Sequence, residues 1–275
     1  MFRFRSKGKI YSSEIPVVMG IINITTDSFY KGFAGAKESE ILRVAEGMIN
    51  EGAYFLDLGG QSTKPGSGRV SGSEEAERIL PFIQSIHKNF PDTLISVDTF
   101  YPEVAQAAVQ AGAGMVNDIS GGQYFPEMFS VVAKLRVPYI GMHIKGTPET
   151  MSKHTNYEDI ITEMLQYFAR LKYDCYEAGI HDLIIDPGFG FAKNACHNFE
   201  LLRKLNILQA LDVPVLAGLS RKSTIYKTLG CTANEALNGT TVMHTLALNN
   251  GASILRAHDV KEAQEAITLF NHYKG

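Results

Sequence analysis

Short apolar runs that stop at a polar residue recur along the chain. The run at 183–185 stops at Asp186, and the run at 17–22 stops at Asn23. A short, nearly continuous apolar run bounded by turn-forming residues is typical of a strand buried on both faces of a parallel sheet. Eight runs predict eight strands, at residues 17–22, 54–56, 94–97, 115–116, 138–142, 183–185, 213–218 and 252–255.

The segments between these runs carry apolar residues at helical spacing, as Ile41, Ala45 and Met48 do. Alternating strands and helices predict a parallel sheet with right-handed crossovers. Eight such units in 275 residues fit an α/β fold of the (β/α)8 TIM-barrel type, and we expect a single domain spanning residues 1–275. An open, doubly wound sheet is the alternative, but the glycine fingerprint of dinucleotide-binding sheets is missing after the first strand.

Three local signals refine this prediction. The N-terminal segment alternates aromatic and basic residues and predicts a short hairpin that turns at Lys7-Gly8, with its basic residues on a solvated face. Pro102 is expected to open a helix, a position that suits proline. Asp259 and Glu262 have the spacing of a capping box at the start of the final helix.

Composition narrows the function classes. The net charge of -3 argues against a general nucleic-acid or membrane-surface role, for which a basic face is expected. No apolar run approaches the roughly 20 residues of a membrane-spanning helix. Three cysteines without CxxC spacing favour a reduced compartment, hence a cytoplasmic location, and give no zinc site.

Polar residues end nearly every predicted strand. In a TIM barrel the carboxyl ends of the strands converge on one mouth, where the active site lies. Buried polar side chains must be hydrogen-bonded or solvated, so a full ring of them is costly unless it serves a ligand. The predicted mouth contains Asn23, Asp57, Asp98, Asn117, His143, Asp186, Lys222, Arg256 and His258.

These residues divide into two chemistries. Asp98, Asn117 and Asp186 could read the edge of a flat heterocycle, because carboxylates accept and amides both donate and accept hydrogen bonds. A cationic or hydroxylic group, close to two helix N-termini, predicts an anionic tail on the same ligand. That second group consists of Asn23, Thr63, Lys64, Lys222, Arg256 and His258.

Other loop residues predict a second subsite. Phe29, Pro65 and Phe191 could form a small apolar slot for a second flat substrate under closing loops. His143 and His154 lack a further ligand at metal-binding spacing, so we interpret them as loop and packing residues.

A series of ordered motifs runs through nearly the whole chain. These motifs are Met19-Gly20-Ile21-Ile22-Asn23-Ile24-Thr25 with Asp27-Ser28-Phe29, Asp57-Leu58-Gly59-Gly60-Gln61-Ser62-Thr63-Lys64-Pro65-Gly66, Ser96-Val97-Asp98-Thr99, Val116-Asn117-Asp118-Ile119, Met142-His143 with Gly146-Thr147-Pro148, Asp186-Pro187-Gly188-Phe189-Gly190-Phe191, Ser220-Arg221-Lys222-Ser223 and Arg256-Ala257-His258-Asp259-Val260. In their residues and their order they resemble the motifs of the dihydropteroate synthase family.

The resemblance implies an enzyme that condenses 6-hydroxymethyl-7,8-dihydropterin diphosphate with 4-aminobenzoate in folate synthesis, and a homodimer. By this likeness Asp98, Asn117, Asp186 and Lys222 would hold the pterin, with Arg256 stacked on it. Asn23 would bind Mg²⁺ together with the diphosphate, which Thr63, Arg256 and His258 would also contact. Phe29, Pro65, Phe191, Ser220 and Lys222 would border the aminobenzoate slot. Lys222, Arg256 and Asp186 would be the catalytic residues, and Lys64 would belong to the substrate-binding loop.

The chain departs from the family pattern in two loops. Lys64 stands where the family usually has arginine, and Thr26 stands where proline is common. Lysine keeps the charge but loses the planar fork, so we predict weaker anchoring of the diphosphate or of the loop, without loss of activity. Thr26 should leave the first loop less rigid than proline would. Two other functions stay open: a pterin-binding methyltransferase, and an inactive paralogue that only binds pterin.

Overall fold

The N-terminal segment forms the hairpin that the sequence predicts. The computed structural model describes residues 2–24, 34–61 and 68–275, excluding the side chains of residues 34–37. Strand β1 (Phe2–Ser6) pairs antiparallel with β2 (Lys9–Ser13). Lys7 and Gly8 make the turn with φ angles of 48° and 81°. Two consecutive left-handed residues are typical of the type I′ turn, which matches the twist of a hairpin.

Strands and helices then alternate through the rest of the chain. The strands are β3 (Val17–Asn23), β4 (Ala53–Gly59), β5 (Leu94–Asp98), β6 (Met115–Asp118), β7 (Tyr139–Met142), β8 (Leu183–Asp186), β9 (Leu216–Ala217) and β10 (Ile254–Ala257). The α-helices are α1 (Ala34–Asn50), α2 (Gly72–Asn89), α3 (Pro102–Ala111), α4 (Glu127–Leu135), α5 (Ile160–Ala178), α6 (Ala195–Arg203), α7 (Ser223–Leu229), α8 (Leu237–Asn249) and α9 (Val260–Lys274). Pro102 opens α3, as predicted.

The strands form a nearly closed parallel barrel. Across the described residues the sheet order is β8-β7-β6-β5-β4-β3-β10-β9, and every neighbouring pair is parallel. An isolated parallel bridge between Ile185 and Val215 joins β8 to the residues before β9. This arrangement confirms the predicted (β/α)8 barrel and excludes the open doubly wound sheet.

The core has two layers. The larger cluster lies between the strands and the helices. The smaller one collects residues from the starts of the strands, and Phe2 and Phe4 of the hairpin complete it. The Phe4 ring centroid lies 5.8 Å from that of Phe55, and the Phe2 and Phe4 rings stack at 5.1 Å. The hairpin therefore closes the barrel at the end opposite the carboxyl ends of the strands.

The predicted capping box at the final helix is wrong. Asp259 is the N-cap residue of α9, but its side chain makes no capping hydrogen bond. Its carboxylate instead accepts hydrogen bonds from Arg221 Nε at 2.8 Å and Nη2 at 2.9 Å. A bidentate, charge-assisted pair is stronger than a bond to a backbone N–H, and it ties α9 to the loop after β9.

None of the helices in the described parts of the chain is both long and apolar enough to cross a membrane.

Candidate active site

The pairing register aligns the carboxyl ends of four neighbouring strands, and three of the aligned positions carry polar side chains. Asn23 of β3 pairs with Gly59 of β4, Gly59 pairs with Asp98 of β5, and Asp98 pairs with Asn117 of β6. Side chains alternate between the two faces of a strand, so Asp118 points away from Asn117 and binds the turn after β6 instead. Its carboxylate accepts from the N–H groups of Ser120 and Gly122.

Arg256 at the end of β10 bridges two carboxylates across the mouth. Its Nε donates to Asp57 Oδ2 at 2.6 Å, and its Nη2 donates to Asp98 Oδ2 at 2.7 Å. Asp57 Oδ2 also accepts a hydrogen bond from Asn117 Nδ2 at 3.0 Å. One fully buried carboxylate therefore fixes both a guanidinium and an amide, because Asp57 has no exposed surface.

Burial sets the protonation tendencies in this cluster. It raises the pKa of Asp98, and the Arg256 guanidinium opposes that rise. Although burial lowers the pKa of Arg256, Asp57 and Asp98 raise it above the ordinary value. Arg256 is therefore a permanent positive charge at the mouth, partly neutralised by two carboxylates.

Asp186 and Lys222 face each other across the end of β8. A methyl group added at Gly218 would lie 3.6 Å from Asp186 Oδ2 and 3.8 Å from Lys222 Nζ. Asp186 Oδ1 accepts from the Gly188 N–H at 2.7 Å. Burial raises the pKa of Asp186, opposed by Lys222. Burial also lowers the pKa of Lys222 to about 8, opposed by Asp186.

The loop after β8 surrounds the Lys222 ammonium. Lys222 Nζ donates to the Phe189 carbonyl oxygen and lies 4.6 Å from the centre of the Phe191 ring. The attraction of a cation to an aromatic face stabilises this placement. Phe191 is mostly buried, and its ring forms part of an apolar wall beside the charged group.

Ser220 and His258 link the loops after β9 and β10. Ser220 Oγ lies 3.0 Å from His258 Nδ1 and accepts from the His258 N–H at 3.2 Å. Desolvation, with the positive charge of Arg256, lowers the pKa of His258. Its imidazole is therefore neutral at pH 7 and can donate a hydrogen bond to an anion without carrying charge.

Most of the predicted site residues meet at this mouth. The described ones brought together are Asp98, Asn117, Asp186, Phe191, Ser220, Lys222, Arg256 and His258. Asn23 lies on the same edge, at the exposed end of β3. The predictions for Phe29, Thr63, Lys64 and Pro65, and for the loop residue Thr26, fall outside the described residues.

Two residues have roles that the sequence did not predict. Asp57 was placed at the mouth without a function, and its pairing with both Arg256 and Asn117 depends on the strand register. Lys193 is buried, and its ammonium contacts His143 Nδ1 at 3.0 Å. A lysine directly after an otherwise apolar, glycine-rich loop was the available signal.

His143 is a packing residue, as the sequence indicated. Its ring meets Tyr167 edge-on at 4.8 Å, and burial together with Lys193 lowers its pKa to about 2. The described residues contain no group of three or more His, Cys, Asp or Glu side chains arranged to hold a metal ion.

A family model described as "Pterin binding enzyme" matches residues 19–258. The match spans every barrel strand except the first two residues of β3, and it ends at His258. The fold and the mouth thus define a pterin-binding enzyme of the barrel class.

The similar proteins are more specific. The dihydropteroate synthase of Escherichia coli (strain K12) is 40% identical over 256 residues, covering 92% of this chain and 90% of that protein. That of Synechocystis sp. is 44% identical over 247 residues, covering 89% and 85%. The chain belongs to the dihydropteroate synthase family.

Solved structures agree. The Yersinia pestis dihydropteroate synthase in a sulfonamide complex superposes with a TM-score of 0.92 at 35% identity, covering 99% of both chains. The Xanthomonas albilineans dihydropteroate synthase with 4-aminobenzoic acid gives 0.91 at 38% identity, covering 99% of this chain and 98% of the other.

Proposed function

We propose that this protein condenses 6-hydroxymethyl-7,8-dihydropterin diphosphate with 4-aminobenzoate, giving 7,8-dihydropteroate and diphosphate in folate synthesis. The observation that carries the proposal is the joining of a carboxylate–amide edge to a cationic edge at one mouth. Asp98, Asn117 and Asp186 form the first edge, and Lys222 and Arg256 form the second.

The pterin head would lie against the carboxylate–amide edge. Asp186 Oδ2 points toward the space above Gly218, where it can accept from an N–H group of an aminopyrimidine. Asn117 is held by Asp57, so its amide is oriented before a ligand arrives. Arg256 would stack on the ring, since a planar guanidinium pairs well with an aromatic face.

The diphosphate would lie toward Asn23, Arg256 and His258, with Thr63 and Lys64 as further contacts. A Mg²⁺ ion fits this edge, because Mg²⁺ prefers oxygen ligands and is commonly held by few protein groups plus substrate phosphates. Asn23 ends β3 with an exposed side chain, and its amide oxygen is a ligand of the kind that Mg²⁺ takes. When bound, the ion would stabilise the negative charge of the leaving diphosphate.

The second substrate would enter the slot bordered by Phe29, Pro65, Phe191, Ser220 and Lys222. The carbon–oxygen bond of the pterin diphosphate breaks first, and diphosphate leaves with the electron pair. The amine nitrogen of 4-aminobenzoate then bonds to the exocyclic carbon of the pterin and loses a proton. Arg256 and His258 stabilise the departing anion, while Asp186 keeps the pterin oriented as positive charge grows on the carbon. An aryl amine is already a neutral nucleophile, so no strong base is needed.

Two alternatives are distinguished by turnover. A pterin-binding methyltransferase has no diphosphate to bind, so the cationic edge argues against it. An inactive paralogue would bind pterin and stop there.

Diphosphate release from the pterin diphosphate, with and without 4-aminobenzoate at controlled Mg²⁺, tests the proposal. We expect release that needs both substrates and yields dihydropteroate. Tight pterin binding without release would contradict the synthase and favour a methyltransferase or a pterin-binding paralogue.

We further propose that residues 1–275 fold as one domain, and that the protein is a cytoplasmic homodimer. Val242 and Leu246 on α8 and Leu269 on α9 are apolar and exposed, which supports burial against a second copy. Light scattering after gel filtration measures the mass directly, and a monomer at micromolar concentration would contradict the dimer.

A further inference from the structure

Lys193 is a lysine buried among oxygen and nitrogen acceptors. Its ammonium donates to the carbonyl oxygens of Phe191 at 2.9 Å and Gly188 at 3.0 Å, and to that of His143 at 3.3 Å. His143 Nδ1 is a fourth acceptor, at 3.0 Å. Three donors among four acceptors leave this side chain no free hydrogen-bonding capacity for substrate, so its contribution must come through the groups it holds.

The groups that it holds belong to a backbone in an unusual conformation. Gly188, Gly190 and Ala192 have positive φ angles of 67°, 81° and 52°. A non-glycine residue such as Ala192 adopts this conformation at a cost, so other contacts must maintain it. The Tyr157 hydroxyl donates to the Ala192 carbonyl at 3.0 Å, and Asn198 Oδ1 accepts from the Gly190 N–H at 2.7 Å.

Carbonyl groups of this loop point in two directions. Those of Gly188 and Phe191 point inward to Lys193, whereas that of Phe189, between them, accepts from Lys222 Nζ. The Phe191 ring also lies beside the Lys222 ammonium. The inner hydrogen bonds therefore determine where the outer carbonyl and ring lie relative to Lys222.

We infer that Lys193 is a positioning residue for the 4-aminobenzoate side of the site. By fixing the Gly188 and Phe191 carbonyls from behind, it holds the Phe191 ring and the Phe189 carbonyl against Lys222. The inference rests on the proposed function, and it gives this lysine a selective effect. The loop also contacts the pterin side, because the Gly188 N–H donates to Asp186 and the Phe189 carbonyl accepts from Lys222. The Asp57–Arg256–Asn117 cluster, however, makes no described contact with the loop, so pterin binding should depend on Lys193 less than aminobenzoate binding does.

Lys193→Met tests this role, because methionine keeps similar length and removes every donor. We expect the KM for 4-aminobenzoate to rise at least about tenfold, while the KM for the pterin diphosphate rises by a smaller factor, about threefold or less. Lys172→Met is the matched control. Lys172 also donates to a backbone carbonyl, that of Leu211 at 2.6 Å, but it lies on α5 away from the mouth. Its variant should leave both KM values unchanged.

Equal rises in both KM values, or a lowered melting temperature with unchanged KM values, would show that Lys193 is only structural and would overturn the inference. Tyr157→Phe provides a milder test if the methionine variant does not fold. It removes the single bond to Ala192 and should raise the KM for 4-aminobenzoate alone, by a smaller factor. Failure of the wild-type protein to release diphosphate with both substrates would instead refute the proposed function.

Discussion

Asp57 illustrates how one side chain sets the state of several others. It is fully buried, and a single one of its oxygens binds both the Arg256 guanidinium and the Asn117 amide. Removing one partner of a buried ion pair leaves an uncompensated charge, which costs more than the pair contributes. Asp57 thus fixes the position of Asn117 in the carboxylate–amide edge relative to Arg256 in the cationic edge.

Lys222 makes the reaction sensitive to alkaline pH. Burial lowers its pKa from 10.5 to about 8, so the ammonium is lost as pH rises through about 8. We expect kcat/KM for the pterin diphosphate to fall above that pH, because a donor and a positive charge disappear from the free enzyme. A pH–rate profile checks this, with Lys222→Arg as the comparison, since guanidinium stays protonated and should remove the alkaline limb.

The same pKa has an opposite effect on stability. Between about pH 8 and 10.5 the unfolded chain binds a proton at Lys222 that the folded chain does not. The free energy of unfolding therefore gains a contribution from this group as pH rises through that window. In the pH–rate profile, an alkaline fall in kcat/KM that persists in Lys222→Arg would show that a different group titrates.

At this scale the sequence predicted which residues reach the mouth but not which partners they choose. The polar strand ends were visible because each follows an apolar run. The Asp57–Arg256 pair joins β4 to β10, 199 positions apart in the chain, and only the closed sheet with its register brings them together. Lys193 had no partner pattern in the sequence at all.

The geometry of the loop between β8 and α6 is constrained at two glycine positions. Gly188 and Gly190 both have left-handed backbones, but their surroundings differ. A methyl group on Gly188 would lie 2.2 Å from the His143 carbonyl oxygen, whereas one on Gly190 would lie 3.4 Å from Lys222 Cδ. The first distance requires the backbone to move, and the second is an ordinary contact.

We therefore expect Gly188→Ala to lower kcat/KM for 4-aminobenzoate by about 100-fold, because a shift of an ångström in a loop that positions substrate has effects of that order. Gly190→Ala should lower only the free energy of unfolding, by the conformational strain of about 1–2 kcal/mol. Steady-state kinetics and melting temperatures of the two variants check this. Equal losses at the two positions would mean that backbone strain, rather than the clash, controls the loop.

Element positions were largely predictable, and element ends were less so. The apolar periodicities located the strands, the helices and the hairpin turn at Lys7-Gly8. The capping-box prediction at Asp259 was wrong because the spacing of neighbouring residues does not show which distant side chain also binds the carboxylate. Arg221, 38 residues earlier, takes the carboxylate that the box would use.

The whole barrel separates stability from chemistry along its axis. The hairpin fills the end opposite the mouth with Phe2 and Phe4, while those proposed substrate contacts that the structure describes lie at the carboxyl ends of the strands. A TIM barrel generally divides its two faces in this way. Substitutions in the hairpin should therefore change the free energy of unfolding without changing substrate binding.

Phe4→Ala should lower the free energy of unfolding by about 3–5 kcal/mol, since it removes a buried ring from the barrel interior. Ile10→Ala, on the same hairpin but 52% exposed, should change it by less than about 0.5 kcal/mol. Urea denaturation measures both. The KM values for both substrates should stay the same, and a change in either one would show that the hairpin and the mouth are coupled.

The lone bridge between Ile185 and Val215 gives the barrel a seam. Elsewhere in the described sheet each pair of neighbouring strands shares at least two register positions. Separating β8 from the β9 side at this bridge therefore breaks fewer hydrogen bonds than separating two strands elsewhere in the sheet. Local opening follows the sparsest bonding, and amide hydrogens along the seam should exchange with solvent earlier than those of β4 or β5. Asp186 lies at the end of one side of the seam, and Ser220 follows the other. We therefore expect local opening of the barrel beside Asp186 and Ser220, two of the residues proposed to contact the substrates.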